Sequence, residues 1–297
     1  MSAKNILAFD IGGTKISSGV VSFGKSDFKI LDRQKIKTPK NKDGVIRKLI
    51  ELINYYQENN NFQKIGISFP GQVDAQNGVA VFAPSIKGWK NDNLKKIIKE
   101  KTGVNAEIGN DARCFALGEN SFGRKKKYKN VVYLAIGTGI GGAIEINGKL
   151  YNGANNTAGE FGHLVIMSNG KKCGCGNRGC WEQYASGNAI EKLYFELYNK
   201  KKKAKEIALD SIKGIKRDQK VIKEISGYLS AGLASIINTI NPEIIVIGGS
   251  VTKQKEILDL ARKDVLKKVL IPARKTKIVR SGLGSRAMLV GAALLSN

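Results

Sequence analysis

One arrangement occurs twice in this chain and limits what it can fold into. Ile6-Leu-Ala-Phe-Asp10 is an apolar run ending in an acid; Ile11-Gly12-Gly13-Thr14-Lys15 follows, and residues 16–22 return to strand composition. Val131-Val-Tyr-Leu-Ala-Ile136 leads in the same way into Gly137-Thr138-Gly139-Ile-Gly-Gly142, and residues 143–151 return with an Asn-Gly turn. Each stretch predicts a strand, a glycine turn and a second strand. Glycines let backbone amides approach a phosphate closely, and Thr14 and Lys15 add a hydroxyl and an ammonium. Asp10, at a strand end, is placed to hold magnesium through water. Alone, either stretch could be an ordinary hairpin. The second formally matches GxGxxG, but that fingerprint needs a helix after the glycines, and a hairpin follows here. There is no Walker-type phosphate loop. Two such units imply two related half-molecules, each offering a phosphate loop to a cleft between them.

A second feature separates this chain from a plain repeat. His163, the single histidine, closes Glu160-Phe-Gly-His163, and Cys173-Gly-Cys175-Gly-Asn-Arg-Gly-Cys180-Trp-Glu182 follows. One imidazole and three thiols in a short loop suit a closed tetrahedral zinc site. A disulfide or a reduced cluster is the competing reading. Glu160 and Glu182 flank these residues although a structural zinc needs neither. With one imidazole nitrogen on the metal, the other becomes an oriented hydrogen-bonding group. Two carboxylates and a fixed imidazole can receive the adjacent hydroxyls of a sugar.

The remaining pattern is α/β. Helical periodicity covers 43–59, 94–102, 112–120, 186–198, 218–241, 252–269 and 285–296, and buried strands are expected at 64–69, 104–108, 243–247 and 276–280. Asn110 and Asp111 fall at a strand-to-helix switch, where α/β folds carry chemistry; an N-cap is the plainer role for either. Gly248-Gly249 ends a late strand and could lie against adenine or ribose. At 297 residues the chain can bury roughly 75% of its unfolded surface. No signal-like start or membrane-length apolar run is present, so a cytoplasmic protein without membrane contact is expected. The net charge of +25 raises nucleic-acid binding, yet the lysines are scattered and lack interleaved aromatics. The runs 124–127 and 200–203 therefore read as solvated faces, and the field as an attractor of anionic nucleotides.

In this order the motifs resemble the ROK family of bacterial sugar kinases and repressors, within the actin-like ATPase superfamily. The most specific stretch is Glu160–His163 with Cys173, Cys175 and Cys180. The resemblance implies two actin-like, ribonuclease H-like domains: 1–117 with a C-terminal helix 286–297, and 118–285 carrying the knot at 163–182. It implies Asp111 as the catalytic base and Asn110, Asp111, Glu160, His163 and Glu182 as sugar contacts. His163, Cys173, Cys175 and Cys180 would hold structural zinc. Asp10, Gly12, Gly13, Thr14, Lys15, Gly137, Thr138, Gly139, Gly248 and Gly249 would serve ATP with Mg2+. A homodimer or larger homo-oligomer is implied as well. One departure is Ser85 after Pro84, where the family usually has a sugar-holding asparagine. The expected activity is an ATP-dependent hexose kinase, glucokinase first, with fructose, mannose or N-acetylmannosamine as other acceptors and polyphosphate as another donor. A sugar-responsive repressor is disfavoured because the first phosphate loop starts at Asp10, leaving no room for a helix-turn-helix. A non-catalytic actin-like ATPase would leave the carboxylates without purpose.

Overall fold

The computed structural model describes residues 4–124, 128–251 and 254–297. They form two units, each with its own apolar core: residues up to 124 with 285–297, and residues 128–284.

In the first unit β1 (Lys4–Ile11), β2 (Lys15–Phe23) and β3 (Phe28–Lys37) form an antiparallel meander. Helix α1 (Lys42–Asn59) crosses to β4 (Lys64–Phe69), which pairs parallel to β1. A small sheet of β5 (Gln72–Asp74), β6 (Val79–Phe82) and β7 (Asp92–Asn93), then α2 (Leu94–Thr102), lead to β8 (Ala106–Asn110) and α3 (Asp111–Gly118). The main sheet order is β3-β2-β1-β4-β8. Leu7, Ala8 and Phe9 are buried on both faces of central β1, as a strand covered on both sides requires. Asn41 caps α1 by accepting from the Gly44 amide at 3.0 Å, and Val45, Leu49, Leu52, Ile53 and Tyr56 form its buried stripe. The closing helix Ala287–Leu294 packs on α3 and β1 in this unit; at Gly291 a Cβ would meet the Cys114 carbonyl at 1.6 Å. The unit runs past the expected residue 117 because Phe122 stacks on Phe23 at 5.8 Å and meets Phe28 edge-on at 5.1 Å.

The second unit repeats the topology. Strands β9 (Val131–Ile136), β10 (Ile140–Ile146) and β11 (Lys149–Tyr151) are the meander. After the cysteine-rich loop come α4 (Glu182–Ala185), α5 (Gly187–Tyr198), α6 (Ala204–Ile212) and α7 (Lys216–Ile240), then β12 (Ile244–Gly248), α8 (Lys255–Val265) and β13 (Lys277–Arg280). The order β11-β10-β9-β12-β13 matches the first sheet position for position. Helix α7 ends at Asn241 in the left-handed conformation (φ 48°), just before Pro242. The helix expected from Thr252 begins at Lys255, and Thr252 itself lies outside the described residues.

The reading of the 200–203 run as a solvated face holds for Lys200, Lys201 and Lys203, which are exposed, and fails for Lys202. Lys202 is not a solvated side chain: it is 15% exposed, bonds Asp218 at 2.6 Å and Asp210 at 2.8 Å, and covers the Tyr194 ring. Asp218 is fully buried, so the lysine supplies its counter-charge. The other run lies outside the described residues except for Arg124. No helix among the described residues is long and apolar enough to cross a membrane.

Candidate active site

In the first unit the acids gather at the C-terminal ends of parallel strands. Asp10 stands beside Ser68 of β4 in the register, and Phe69 beside Asn110 of β8. The Ser68 hydroxyl donates to Asp10 Oδ1 at 3.3 Å. Burial pushes the Asp10 carboxyl up to about 6, against the Ser68 bond and the charges of Lys15 and Arg33. The fully buried Cys114 thiol is held well above its ordinary range by burial, then by the negative charges of Asp111 and Asp10. Asp10 ends β1 and Asp111 follows β8, the strands on either side of β4, so both acids lie at the same end of the sheet. Neither Ser68 nor Cys114 was found in the sequence, where each looks like an ordinary small residue of a strand or helix.

Asn110 takes the cap role. Its Oδ1 accepts from the amides of Ala112 at 3.0 Å and Arg113 at 3.3 Å, and its Nδ2 donates to the Gly71 carbonyl at 2.8 Å. The Asp111 carboxylate accepts from the Ala112 amide at 2.7 Å. These bonds fix the start of α3 and with it the acid that follows the cap.

The first glycine turn differs from a simple phosphate cradle. The Gly12 amide is spent on the Lys15 carbonyl at 2.9 Å, and Thr38 bonds the Gly12 carbonyl at 2.6 Å and the Thr14 carbonyl at 3.2 Å. Among the described residues the amides of Gly13 and Thr14 take no protein partner. Gly13 faces Ser85, whose Cβ would lie 2.7 Å from a Cβ there. The residue that departs from the family pattern therefore lies against the turn.

In the second unit the Gly137 amide bonds the Gly139 carbonyl at 3.0 Å, while the carbonyls of Gly137 and Thr138 accept from Gly187 at 2.8 Å and Asn188 at 3.4 Å. The loop is thus tied to the start of α5. Gly249 adopts φ +98°, and a Cβ there would come 2.2 Å from the Ile136 carbonyl, so the Gly248-Gly249 turn closes on the same strand end. Ala135 pairs with Gly248 as Asp10 pairs with Ser68, so the second unit has no acid at this position.

The cysteine-rich loop gathers its four ligand atoms: His163 Nδ1 and the sulfurs of Cys173, Cys175 and Cys180 all lie within 4.8 Å of one another. Cys173 lies 3.7 Å from Nδ1, and the sulfurs of Cys175 and Cys180 are 3.6 Å apart. A tetrahedron with bonds of about 2.3 Å has edges of about 3.8 Å, so the residues fit zinc. All four cysteines are free thiols. Nδ1 faces the cluster, leaving Nε2 as the second imidazole nitrogen. Glu160 is exposed at the start of the turn Phe161–His163, and Gly162 brings that turn against β10, where a Cβ would meet the Ile140 carbonyl at 2.1 Å. Trp181, missed as a functional element, seats the loop: it is fully buried, donates from Nε1 to the Tyr228 carbonyl at 2.9 Å, and fills the space over Gly232 of α7. Glu182 Oε1 is reached by the Gln183 amide at 3.4 Å and lies 3.3 Å from Cys173 Sγ.

Two sheets of identical order, each with a glycine turn at its first hairpin, define the two-domain actin-like, ribonuclease H-like class. The chain belongs to the ROK family, whose signature spans residues 6–297. It is 32% identical over 313 aligned residues to a glucokinase of Streptomyces coelicolor, covering 98% of this chain and 96% of that protein. It is also 31% identical over 300 residues to an N-acetyl-D-glucosamine kinase of Vibrio cholerae, with 97% and 98% covered. Among solved structures, a ROK family glucokinase from Streptomyces griseus in complex with glucose and AMPPNP superposes with a TM-score of 0.87, at 30% identity and 98% coverage of both chains.

Proposed function

We propose that this protein is an ATP-dependent hexose kinase that phosphorylates the 6-hydroxyl of glucose. The observation that carries the reading is the placement of Asp10 at the end of β1 and of Asp111 where β8 passes into α3, on either side of β4, whose Ser68 bonds Asp10. Phosphoryl transfer needs a group that neutralises charge on the donor and a second that takes the acceptor's proton. Asp111, oriented by the Asn110 cap, is the base. Asp10 and the turn from Gly12 to Lys15 serve the donor phosphates, with Gly137, Thr138, Gly139, Gly248 and Gly249 on the nucleotide side. Magnesium, held near Asp10, supplies charge neutralisation on the phosphates when bound. Glu160, the His163 Nε2 and Glu182 receive sugar hydroxyls, and Asn110 adds to them.

His163, Cys173, Cys175 and Cys180 suit zinc as a closed four-ligand set, which has no open position for substrate and fixes the segment holding the sugar. Full-length similarity to glucokinases at 32% identity supports glucose as first acceptor. A 2-acetamido hexose is the second reading, favoured by the N-acetyl-D-glucosamine kinase relative.

The direct test is ADP release by purified protein across glucose, mannose, fructose, N-acetylglucosamine and N-acetylmannosamine, repeated with polyphosphate as donor. Glucose should give the highest kcat/KM. Absence of turnover with every hexose would refute the kinase reading, and a preference for an acetamido sugar would replace glucose.

A further inference from the structure

Gly139 lies in the second glycine loop, which the reading above gives to the nucleotide, yet its surroundings point elsewhere. A Cβ built on Gly139 would fall 2.7 Å from Glu182 Oε2; the next atom within reach is the same residue's carboxyl carbon, at 3.8 Å. No backbone atom and no other side chain comes within that range. Gly139 is not among the glycines with positive φ, so backbone conformation does not demand it. What excludes a side chain here is one carboxylate. Gly137, two residues earlier in the same loop, is different: its nearest neighbour, Ser250 Oγ, stands 4.0 Å from an added Cβ.

Glu182 is held for this approach. It opens α4, directly after Trp181, which is anchored on α7. Its Oε1 is steadied by the Gln183 amide, which also reaches Cys173 Sγ at 3.7 Å, while Oε2 is aimed at the loop. Five residues on, Gly187 and then Asn188 bond the carbonyls of Gly137 and Thr138, so the loop and the segment carrying Glu182 are tied at two points.

We infer that Gly139 is a sugar-positioning residue: its missing side chain lets the Glu182 carboxylate close onto the phosphate loop, bringing the acceptor's hydroxyls to the donor. This rests on Glu182 being a sugar contact. It carries a consequence opposite to what a glycine in a nucleotide loop suggests. Gly139→Ala meets only the tip of a flexible side chain, so the fold survives while Glu182 is displaced. The KM for the sugar should rise about tenfold, the loss of a charged hydrogen bond, while ATP affinity is kept.

The experiment is a double-mutant cycle on zinc-loaded protein with Gly139→Ala, Glu182→Ala and both together, reading the KM for glucose and the dissociation constant of AMPPNP by calorimetry. The expected result is that each single variant raises the glucose KM and the double variant equals Glu182→Ala, because the displaced group is already gone. If Glu182→Ala leaves the glucose KM unchanged, the assignment of Glu182 to the sugar fails. If Glu182→Ala raises it but Gly139→Ala does not, or if the two effects multiply, the inference about Gly139 is overturned. A loss confined to AMPPNP binding in Gly139→Ala would return the residue to the nucleotide alone.

Discussion

The two units share one sheet order and divide the chemistry unequally. At the first hairpin, one has Asp10 where the other has Ala135. Between the third strand and the helices the difference is in length. The first unit passes from β3 to α1 through residues 38–41, whereas the second needs residues 152–181 before α4 and fills them with the cysteine-rich loop. The first unit instead expands between β4 and β8, where the small sheet and α2 are inserted. A common scaffold fixes where strand ends and glycine turns fall; Asp10 and Asp111 sit on that scaffold in the first unit, while the insertion after β11 gives the second unit its cysteine-rich loop. If this division is functional, damage in each unit should have a separate signature.

The largest effect is expected from Asp111→Asn. The amide keeps the shape of the side chain and the Asn110 cap, but cannot take a proton. Turnover should fall by about 10²–10⁴-fold while glucose binding by calorimetry stays measurable. Retention of more than about a tenth of the rate would remove Asp111 from the base role and blur the distinction between the units.

Next is the cysteine-rich loop. Cys175→Ala should abolish stoichiometric zinc and raise the glucose KM by about 10–100-fold through loss of oriented hydrogen bonds. AMPPNP affinity should change little, since the glycine turns are held by β9, β10 and α5 rather than by the metal. Trp181 on α7 should keep the unit folded. Global unfolding on zinc loss would show that the metal supports the entire second unit.

How much of this was legible follows from the kind of signal each part leaves. The glycine turns and the His163, Cys173, Cys175 and Cys180 set are local in sequence and rich in unusual residues, so pattern reading found them. The edge strand β3 was missed because Phe28–Lys37 has no fully buried residue and five basic or acidic side chains, which erases the apolar signal. Helix α6 was overlooked beside the lysine run. Contacts of long range left no mark at all: Trp181 over Gly232, Ser68 between the acids, and Lys202 on Asp218 each join residues that look ordinary in isolation. The unequal division between units was half visible, since Asp10 was read but its counterpart Ala135 becomes meaningful only through strand register.

Lys202→Ala sharpens the comparison on stability. It removes the nearest cation from the fully buried Asp218 in the second unit alone, leaving the Arg217 guanidinium at 3.7 Å as its remaining counter-charge, and should cost at most about 3 kcal/mol. Urea denaturation followed at Trp181 should shift, and the first unit's Trp89 should respond less. A variant as stable as wild type would restore the reading of this run as solvated.

The smallest effect concerns Asp10 and pH. Its folded-state carboxyl titrates at about 6, above its ordinary 3.8, because burial disfavours the charged form more than Ser68, Lys15 and Arg33 favour it. Folding therefore favours the protonated form. The stability this contributes is fully present below 3.8 and is lost as pH rises through about 6. Asn at this position cannot ionise and mimics the protonated acid. In metal-free protein Asp10→Asn should match wild type near about pH 3.5 and exceed it by about 1–2 kcal/mol near pH 7.5, read from urea midpoints at both values. The second unit carries Ala135 at the matching position and should contribute no such linkage, so the pH-dependent gain localises the stored electrostatic cost to the first unit's loop. Added magnesium should narrow the gap, since a cation near Asp10 stabilises the ionised wild-type carboxylate and has nothing to gain from the amide. An offset between variant and wild type that is the same at both pH values would mean that Asp10 ionises as freely as an exposed acid, and that the two hairpins differ in sequence but not in their electrostatics.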